Sequence, residues 1–134
     1  MIGTRGVPAS YGGFETAVEE IGKRLAAKGH RVTVYGRANR YSLGEYQGMR
    51  TVSLPALKRK SLETISNTAL ATAHAALRNR ADAAFIFNAA NSPYIRLLRA
   101  ARIPTALNTD GLEWKRGKWG TIGKMYYRFA EGVG

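Results

Sequence analysis

The chain has 134 residues, 45% of them hydrophobic, which is enough apolar surface for one core and predicts a single domain. It has no cysteine, which excludes a disulfide framework and a thiolate metal site, and its two distant histidines do not suggest a metal. Its 21 lysines and arginines against 9 acidic residues give a formal charge of +12, which attracts nucleic acid, anionic lipid or a phosphorylated substrate. We expect neither a transmembrane helix nor a signal peptide, because no apolar run of about 18 residues is present.

A glycine-rich loop opens the chain and leads directly into a helix, with the sequence GTRGVPASYGGFE over residues 3–15. Glycine permits positive φ angles and lets a ligand approach backbone amides closely. The amino terminus of the following helix attracts phosphate or another anion. A tight turn without a ligand explains the spacing equally well, because neither the dinucleotide fingerprint nor the P-loop pattern is present.

The best-defined predicted element is the helix after this loop. One apolar stripe at helical spacing runs along it, formed by Phe14, Val18, Ile21 and Leu25. Acidic residues near its start and basic residues near its end predict two ion pairs, Glu19 with Lys23 and Glu20 with Arg24. Gly29 is expected to end the helix.

Strands and helices alternate along the rest of the chain. Predicted strands cover residues 31–35, 50–54, 83–88 and 103–108, and predicted helices cover residues 61–80 and 93–101, with a third helix in the tail from Trp119. A loop is predicted over residues 36–48. The apolar run at 83–88 is typical of a parallel strand covered on both faces. This order predicts an α/β fold, a doubly wound domain with a mostly parallel sheet.

A basic cluster and two sheet-edge stretches complete the candidate features. Residues 58–60, Lys-Arg-Lys, form either a solvated turn or a contact to a membrane or phosphate. Ligands in such folds lie beyond the carboxyl ends of the strands. The opening loop, residues 88–91 and residues 108–116 all follow predicted strands, so we expect them at one sheet edge.

Two of these stretches together resemble a known family. The sequences GTRGVPASYGGFET near the start and NTDGLEWKRGKW near the end resemble the amino-terminal domain of bacterial rhamnosyltransferase-type enzymes, within the family-4 retaining GT-B glycosyltransferases. The resemblance implies a Rossmann-like half of a GT-B fold. It also implies transfer of a sugar, with rhamnose as a candidate, from a nucleotide-sugar to a surface polysaccharide or lipid-linked acceptor.

The resemblance also sets expectations for domain organisation. Residues 1–134 would form the acceptor-side domain, truncated at both ends, because only Met1 and Ile2 precede Gly3 and no donor-binding domain follows. Such a chain is expected to be inactive alone. The alternative that the charge leaves open is a basic α/β module that binds a membrane surface or nucleic acid without catalysis.

The resemblance assigns roles to particular residues. Transfer by front-face displacement needs positioning and charge stabilisation rather than a protein nucleophile. Gly12 and Gly13 would donate from the backbone, Arg5 would lie near phosphate, and Asp110 and Glu113 would accept from sugar hydroxyls. Asp110 is also the candidate general base, although a turn-forming role explains it as well. The remaining predicted substrate-binding residues are Phe14, Glu15, Asn88, Asn91, Lys115 and Arg116.

The expected partners follow from the same reading. They are a nucleotide-sugar donor, a saccharide or lipid-linked acceptor and an anionic membrane surface, with no cofactor and no metal. No nucleic-acid recognition motif is found, so no nucleic acid is expected. The predicted location is the cytoplasm, with peripheral attachment at the inner face of the plasma membrane.

Overall fold

The computed structural model describes residues 1–9, 12–56 and 63–109, together with residue 125. The described elements are α1 (Gly13–Ala27), β1 (Thr33–Ala38), β2 (Ser42–Tyr46), β3 (Met49–Pro55), α2 (Glu63–His74), β4 (Ala84–Phe87), α3 (Pro93–Ala100) and β5 (Thr105–Asn108). A π-helical turn, Ala75–Asn79, continues α2, and a 3-10 turn, Ala89–Asn91, precedes α3. The predicted α/β class is confirmed, and the elements are consistent with a Rossmann-like fold. The chain divides into two compact units, Met1–Ala71 and Thr72–Gly134.

A three-stranded mixed sheet forms the first unit, in the order β1, β3, β2. β1 runs parallel to β3, and β2 runs antiparallel to it. Val34 and Val52 on these strands are fully buried, as β-branched residues facing a core should be. Before α1 the structure has no strand among the described elements, only a bridge residue, Ile2, beside β1. The Met1 amino group donates to the Thr33 carbonyl at 2.8 Å, and the Tyr35 amide donates to the Met1 carbonyl at 3.0 Å.

The inner face of α1 differs from the predicted apolar stripe. Its buried residues are Glu15, Val18 and Gly22, whereas Ile21 is 38% exposed. Gly22 lets the helix pack closely on the sheet, because a Cβ atom there would overlap the sulfur of Met49. The stripe prediction is therefore only partly right, since contact with β3 passes through a glycine that hydrophobic periodicity does not mark.

The predicted loop over residues 36–48 is wrong, because it contains the end of β1 and all of β2. Most of β2 is exposed, so its sequence carries no burial pattern and its pairing rests on backbone hydrogen bonds to β3. The hairpin turn consists of Gln47 and Gly48, whose φ angles are 48° and 75°. Two successive positive φ angles are what a two-residue turn between twisted antiparallel strands requires.

The second unit contains the parallel pair β4 and β5, in which Ile86 lies opposite Leu107. The prediction that β4 is covered on both faces is only partly met. Ile86 and Phe87 are buried, but Phe85 is 39% exposed. α3 begins with Pro93 at its first turn, as predicted, and buries Ile95 and Leu98.

α1 and the π-helical turn after α2 each end beside a residue with a positive φ angle. Lys28 caps α1, and the following Gly29 has a φ of 88°, as the predicted stop requires. The predicted helix over residues 61–80 is α-helical only to His74, and Arg80 ends the π turn with a φ of 44°.

In the described part of the chain, no helix is both long and apolar enough to span a membrane.

Candidate functional site

The opening loop crosses β1 through a contact between two glycines. Gly6 has a φ of 104°, and a Cβ atom there would lie 2.9 Å from the Cα of Gly36. A Cβ atom at Gly36 would lie 3.1 Å from the carbonyl oxygen of Arg5. The Arg37 amide donates to that same oxygen at 3.2 Å. The loop is thus held against the carboxyl half of β1 at a distance that side chains would prevent.

Two glutamates of α1 reach back and bind the amides of this loop. Glu15 accepts from the Arg5 amide at 3.2 Å, and Glu19 accepts from the Ala9 amide at 2.7 Å. The other carboxylate oxygen of Glu19 accepts from the Tyr46 hydroxyl at 3.3 Å. Partial burial and the negative charge of Glu19 raise the pKa of Tyr46. The loop is therefore attached to α1 by carboxylates that accept from its amides. Helical spacing did not indicate this role for Glu19.

This use of Glu19 replaces a predicted ion pair. Lys23 contacts Glu20 instead of Glu19, and Arg24 lies 3.2 Å from the other oxygen of Glu20. The expected pair of Glu20 with Arg24 is thus confirmed, whereas the pair of Glu19 with Lys23 is wrong. Residues outside the helix cause the difference, because the Ala9 amide and the Tyr46 hydroxyl donate to the carboxylate of Glu19.

The amino terminus of α1 is exposed at Gly12 and Gly13. Gly12 has a φ of 124°, and both the amide and the hydroxyl of Thr16 donate to its carbonyl. A Cβ atom at Gly13 would meet nothing within 4 Å, so the space above the first helical turn is open among the described residues. Phe14 is half-buried, and Glu15 is 8% exposed with its carboxylate on the loop. Glu15 can therefore hold the loop, while the glycines present backbone to solvent.

Arg37 lies at the same end of β1 and was not selected from the sequence. Its side chain is only 14% exposed, and its guanidinium donates to the Thr64 hydroxyl at 2.9 Å and lies 3.7 Å from the Glu63 carboxylate. Its Nε is buried without a hydrogen-bond partner among the described residues. Burial lowers the pKa of Arg37, Glu63 opposes that shift, and the positive charge of Arg5 adds to it.

Asn67 of α2 joins the two parallel strands at this end of the sheet. Its Nδ2 donates to the carbonyl oxygens of Gly36 at 3.2 Å and Leu54 at 3.1 Å, and the side chain is 2% exposed. A buried asparagine inside a helix gives no sequence signal for such a bridge. Asn67 fixes the start of α2 against β1 and β3.

In the second unit, the two asparagines selected from the sequence have different surroundings. Asn88 ends β4 with a φ of 76°, and its side chain accepts from the Ala90 amide at 3.0 Å. Asn91 is fully buried and donates to the Phe87 carbonyl at 2.8 Å, and its Oδ1 has no partner among the described residues. Asn88 is half-buried, so it can be reached, whereas Asn91 acts as an internal link between β4 and α3.

Comparison with known families adds one finding to this geometry. A family model described as a domain of unknown function, DUF1972, matches residues 1–133. The chain belongs to this family. The matched range of the DUF1972 domain includes both stretches that carry the glycosyltransferase resemblance. No curated protein and no solved structure matches the chain.

Several predicted residues of the DUF1972 domain lie outside the described part of the chain. They are Asp110, Glu113, Lys115, Arg116, the basic cluster at 58–60 and the tail from Trp119 apart from residue 125. Of the remaining predicted site residues, the structure brings together Arg5, Gly12, Gly13, Phe14 and Glu15 in the loop and the first turn of α1. No group of three His, Cys, Asp or Glu side chains suited to a metal occurs among the residues described.

Proposed function

We propose that this chain is the acceptor-side half of a retaining, family-4 GT-B glycosyltransferase. It would help to move a sugar, with rhamnose as the first candidate, from a nucleotide-sugar to a surface-polysaccharide or lipid-linked acceptor. The expected partners are therefore the nucleotide-sugar and the acceptor, with no metal or cofactor among them. A lipid-linked acceptor would bring the chain to the inner face of the plasma membrane.

The observation that carries the proposal is the exposed glycine pair at the amino terminus of α1. Gly12 and Gly13 lie at the amino terminus of α1, where the helix dipole favours an anion. The described part of the loop, residues 1–9, is attached to the first unit through Gly6 and through Glu15 and Glu19 of α1, the helix that begins at this pair. Such a helix terminus suits the charge that develops on a departing diphosphate.

A transfer assay with a longer protein containing this chain tests the proposal. Purified enzyme would be given UDP- and dTDP-linked sugars with a polyprenyl-diphosphate-linked acceptor. Gly13→Val places a branched side chain over the first turn, where the fold leaves room for it. We expect kcat/KM to fall at least about tenfold, because one lost transition-state donor costs several kcal/mol.

The matched control is Ala27→Val, which places the same branched side chain at the exposed far end of α1. It should leave kcat/KM within about twofold of the parent. Equal turnover in both variants would rule out the glycine pair as a substrate contact. Absence of transfer from every nucleotide-sugar by the unaltered protein would refute the proposed activity itself.

Asp110 is the proposed acid–base residue and sugar-hydroxyl acceptor of the same reaction. Asp110→Asn keeps the size of the side chain and removes its charge, so a general base would lose about 10²-fold or more in kcat. A turn-forming aspartate would tolerate asparagine, which is equally common in turns. A kcat unchanged by the substitution would therefore assign Asp110 to the turn.

A further inference from the structure

β2 forms one edge of the sheet in the first unit, and no other described strand lies beside its outer side. Residues 42–45 are all exposed. Sheet edges in monomeric proteins are usually protected by lysine, by proline or by a bulge. β2 contains neither lysine nor proline, and its register with β3 advances one residue at a time, from Ser42 opposite Ser53 to Tyr46 opposite Met49. The outer side of β2 therefore suits the addition of another strand.

The backbone of β2 offers hydrogen-bonding groups on that outer side. Tyr46 and Met49 flank the two-residue turn, so they form a hydrogen-bonded pair. In an antiparallel pair, successive residues direct their N–H and C=O groups alternately toward the partner strand and away from it. Counting back from Tyr46, Glu45 and Leu43 direct these groups away from β3. A further antiparallel strand would pair with them.

Two exposed apolar side chains accompany these backbone groups. Leu43 is 53% exposed and Tyr41 is 48% exposed. They are two residues apart, so they share one face of the strand. Leu43 lies opposite Val52 of β3, which is fully buried, and is therefore at the margin of the core. A strand added at this edge would cover both side chains.

We propose that β2 pairs with β2 of a second copy of the chain, antiparallel and about a two-fold axis at Leu43. This register places Leu43 opposite itself and Glu45 opposite Tyr41 of the second copy. Both outward-facing residues of β2 are then paired. The proposal does not depend on the transfer activity, because it rests on the sheet edge of the first unit.

Local charge favours a second copy over an unrelated extended peptide. The same register brings the exposed Arg40 next to Tyr46 of the second copy. The Tyr46 hydroxyl donates to Glu19 at 3.3 Å, so the guanidinium meets an aromatic ring and a carboxylate. A two-fold axis makes this contact twice.

The formal charge of +12 on each copy opposes association, but its effect is limited at this edge. Residues 41–49 contain no lysine or arginine, and Glu45 is their one charged residue. At physiological ionic strength the Debye length is about 8 Å, so more distant charges are largely screened. Contacts within the strand pair are shorter than this length and remain effective.

Sedimentation equilibrium of the full chain at physiological salt tests the proposal. We expect a monomer–dimer equilibrium in the parent chain. Leu43→Lys places two ammonium groups opposite each other at the axis and should raise the dimer Kd at least about tenfold. The matched control is Leu70→Lys, which changes another exposed leucine of the first unit in the same way and should leave Kd nearly unchanged. A parent chain that stays monomeric, or equal losses in the two variants, would overturn the proposal.

Disulfide cross-linking is the second test, because the chain has no cysteine of its own. Opposed Cα atoms in a hydrogen-bonded antiparallel pair lie about 5.5 Å apart, within the range that a disulfide spans. Leu43→Cys should therefore form a covalent dimer when oxidised glutathione is added. Leu70→Cys should not do so at the same protein concentration. Equal cross-linking of the two variants would mean that random collision, rather than strand pairing, joins the chains.

Two more cysteine substitutions locate the axis. Tyr41→Cys alone should cross-link poorly, because its counterpart in the second copy lies four residues along the strand, roughly 13 Å away. Tyr41→Cys mixed with Glu45→Cys should cross-link well. Equal rates for Tyr41→Cys alone and for the mixture would overturn the register. Circular dichroism checks the folding of each variant, and cross-linking of Leu43→Cys decides the proposal if Leu43→Lys does not fold.

Discussion

Glu19 and Glu20 are adjacent on α1 and hold very different partners. Glu19 binds a loop amide and a tyrosine hydroxyl, whereas Glu20 pairs with Lys23 and Arg24 at the surface. The first arrangement joins three parts of the first unit and the second stays within one helix. Hydrogen bonds to charged groups at partly buried sites count for more than exposed ion pairs.

We therefore predict that Glu19→Ala lowers the free energy of unfolding by about 1 to 2 kcal/mol, because the Ala9 amide and the Tyr46 hydroxyl lose their acceptor. Glu20→Ala, as the matched control, should leave stability nearly unchanged. Urea denaturation followed by circular dichroism measures both. A loss for Glu20→Ala as large as that for Glu19→Ala would show that helix electrostatics, rather than loop attachment, dominates.

The glycines of the opening loop are predicted to respond to alanine in opposite directions. Gly6→Ala should destabilise by about 2 kcal/mol or more, because the new Cβ meets the Gly36 backbone and the φ angle is positive. Gly13→Ala should stabilise by about 0.5 kcal/mol or be neutral, because it adds helix propensity in open space. The difference in denaturation midpoint is the measurement. The same sign for both would contradict the contact between the loop and β1.

At the scale of elements, Asn67 connects α2 to both parallel strands of the first unit. Asn67→Ala leaves the carbonyl oxygens of Gly36 and Leu54 without this donor and opens a small cavity. We predict a loss of about 2 to 3 kcal/mol in the free energy of unfolding. Asn39→Ala makes the same replacement at an exposed position and should cost little. Hydrogen exchange provides a second measurement, since the amides of β1 and β3 should exchange faster only in the Asn67 variant.

The elements that the sequence predicted best are those with a strong local signal. α1 has opposite charges at its two ends and a glycine stop, and α3 has a serine and a proline at its start, so the end of α1 and the range of α3 were predicted closely. β2 was missed because an exposed edge strand has no alternation of apolar and polar residues. The inward side of α1 was misjudged because Gly22, which is buried and packs against Met49 of β3, contributes no hydrophobicity.

The candidate site was also predictable only in part, because only some of its residues leave a local signal in the sequence. Glycines at positive φ leave a composition signal, and the opening loop was recognised from it. Glu19, Arg37 and Asn67 act through partners that are 10, 27 and 31 residues away, as in the bonds to Ala9, Thr64 and Gly36. Neither spacing nor propensity encodes such contacts, because they depend on how the helices pack on the sheet.

At the scale of the whole molecule, a formal charge of +12 on 134 residues makes the chain repel itself. Added salt screens this repulsion, with a Debye length of about 8 Å at physiological ionic strength. Burial imposes a second electrostatic cost at Met1. The amino group donates to the Thr33 carbonyl, and desolvation lowers its pKa from 8.0 to about 5.

The shifted amino group makes stability depend on pH in a definite direction. Between about pH 5 and pH 8.0 the unfolded chain binds a proton at Met1 that the folded chain does not. The free energy of unfolding should therefore rise as the pH increases through this window. The full cost of burying the amine applies below about pH 5, and it disappears above pH 8.0. The total change expected from this one group is on the order of 4 kcal/mol.

Urea denaturation at a series of pH values, on the chain with a free amino group at Met1, measures this rise. Acetylation of the amino group is the matched control, because an amide does not titrate while all other ionisable groups stay the same. Subtracting the acetylated series from the free series isolates Met1 from the histidines and carboxylates. Parallel pH profiles for the two chains would mean that the amine stays solvated and charged in the folded state. A difference that grows toward low pH would establish that pairing of the first two residues with β1 places an ionisable group inside the first unit.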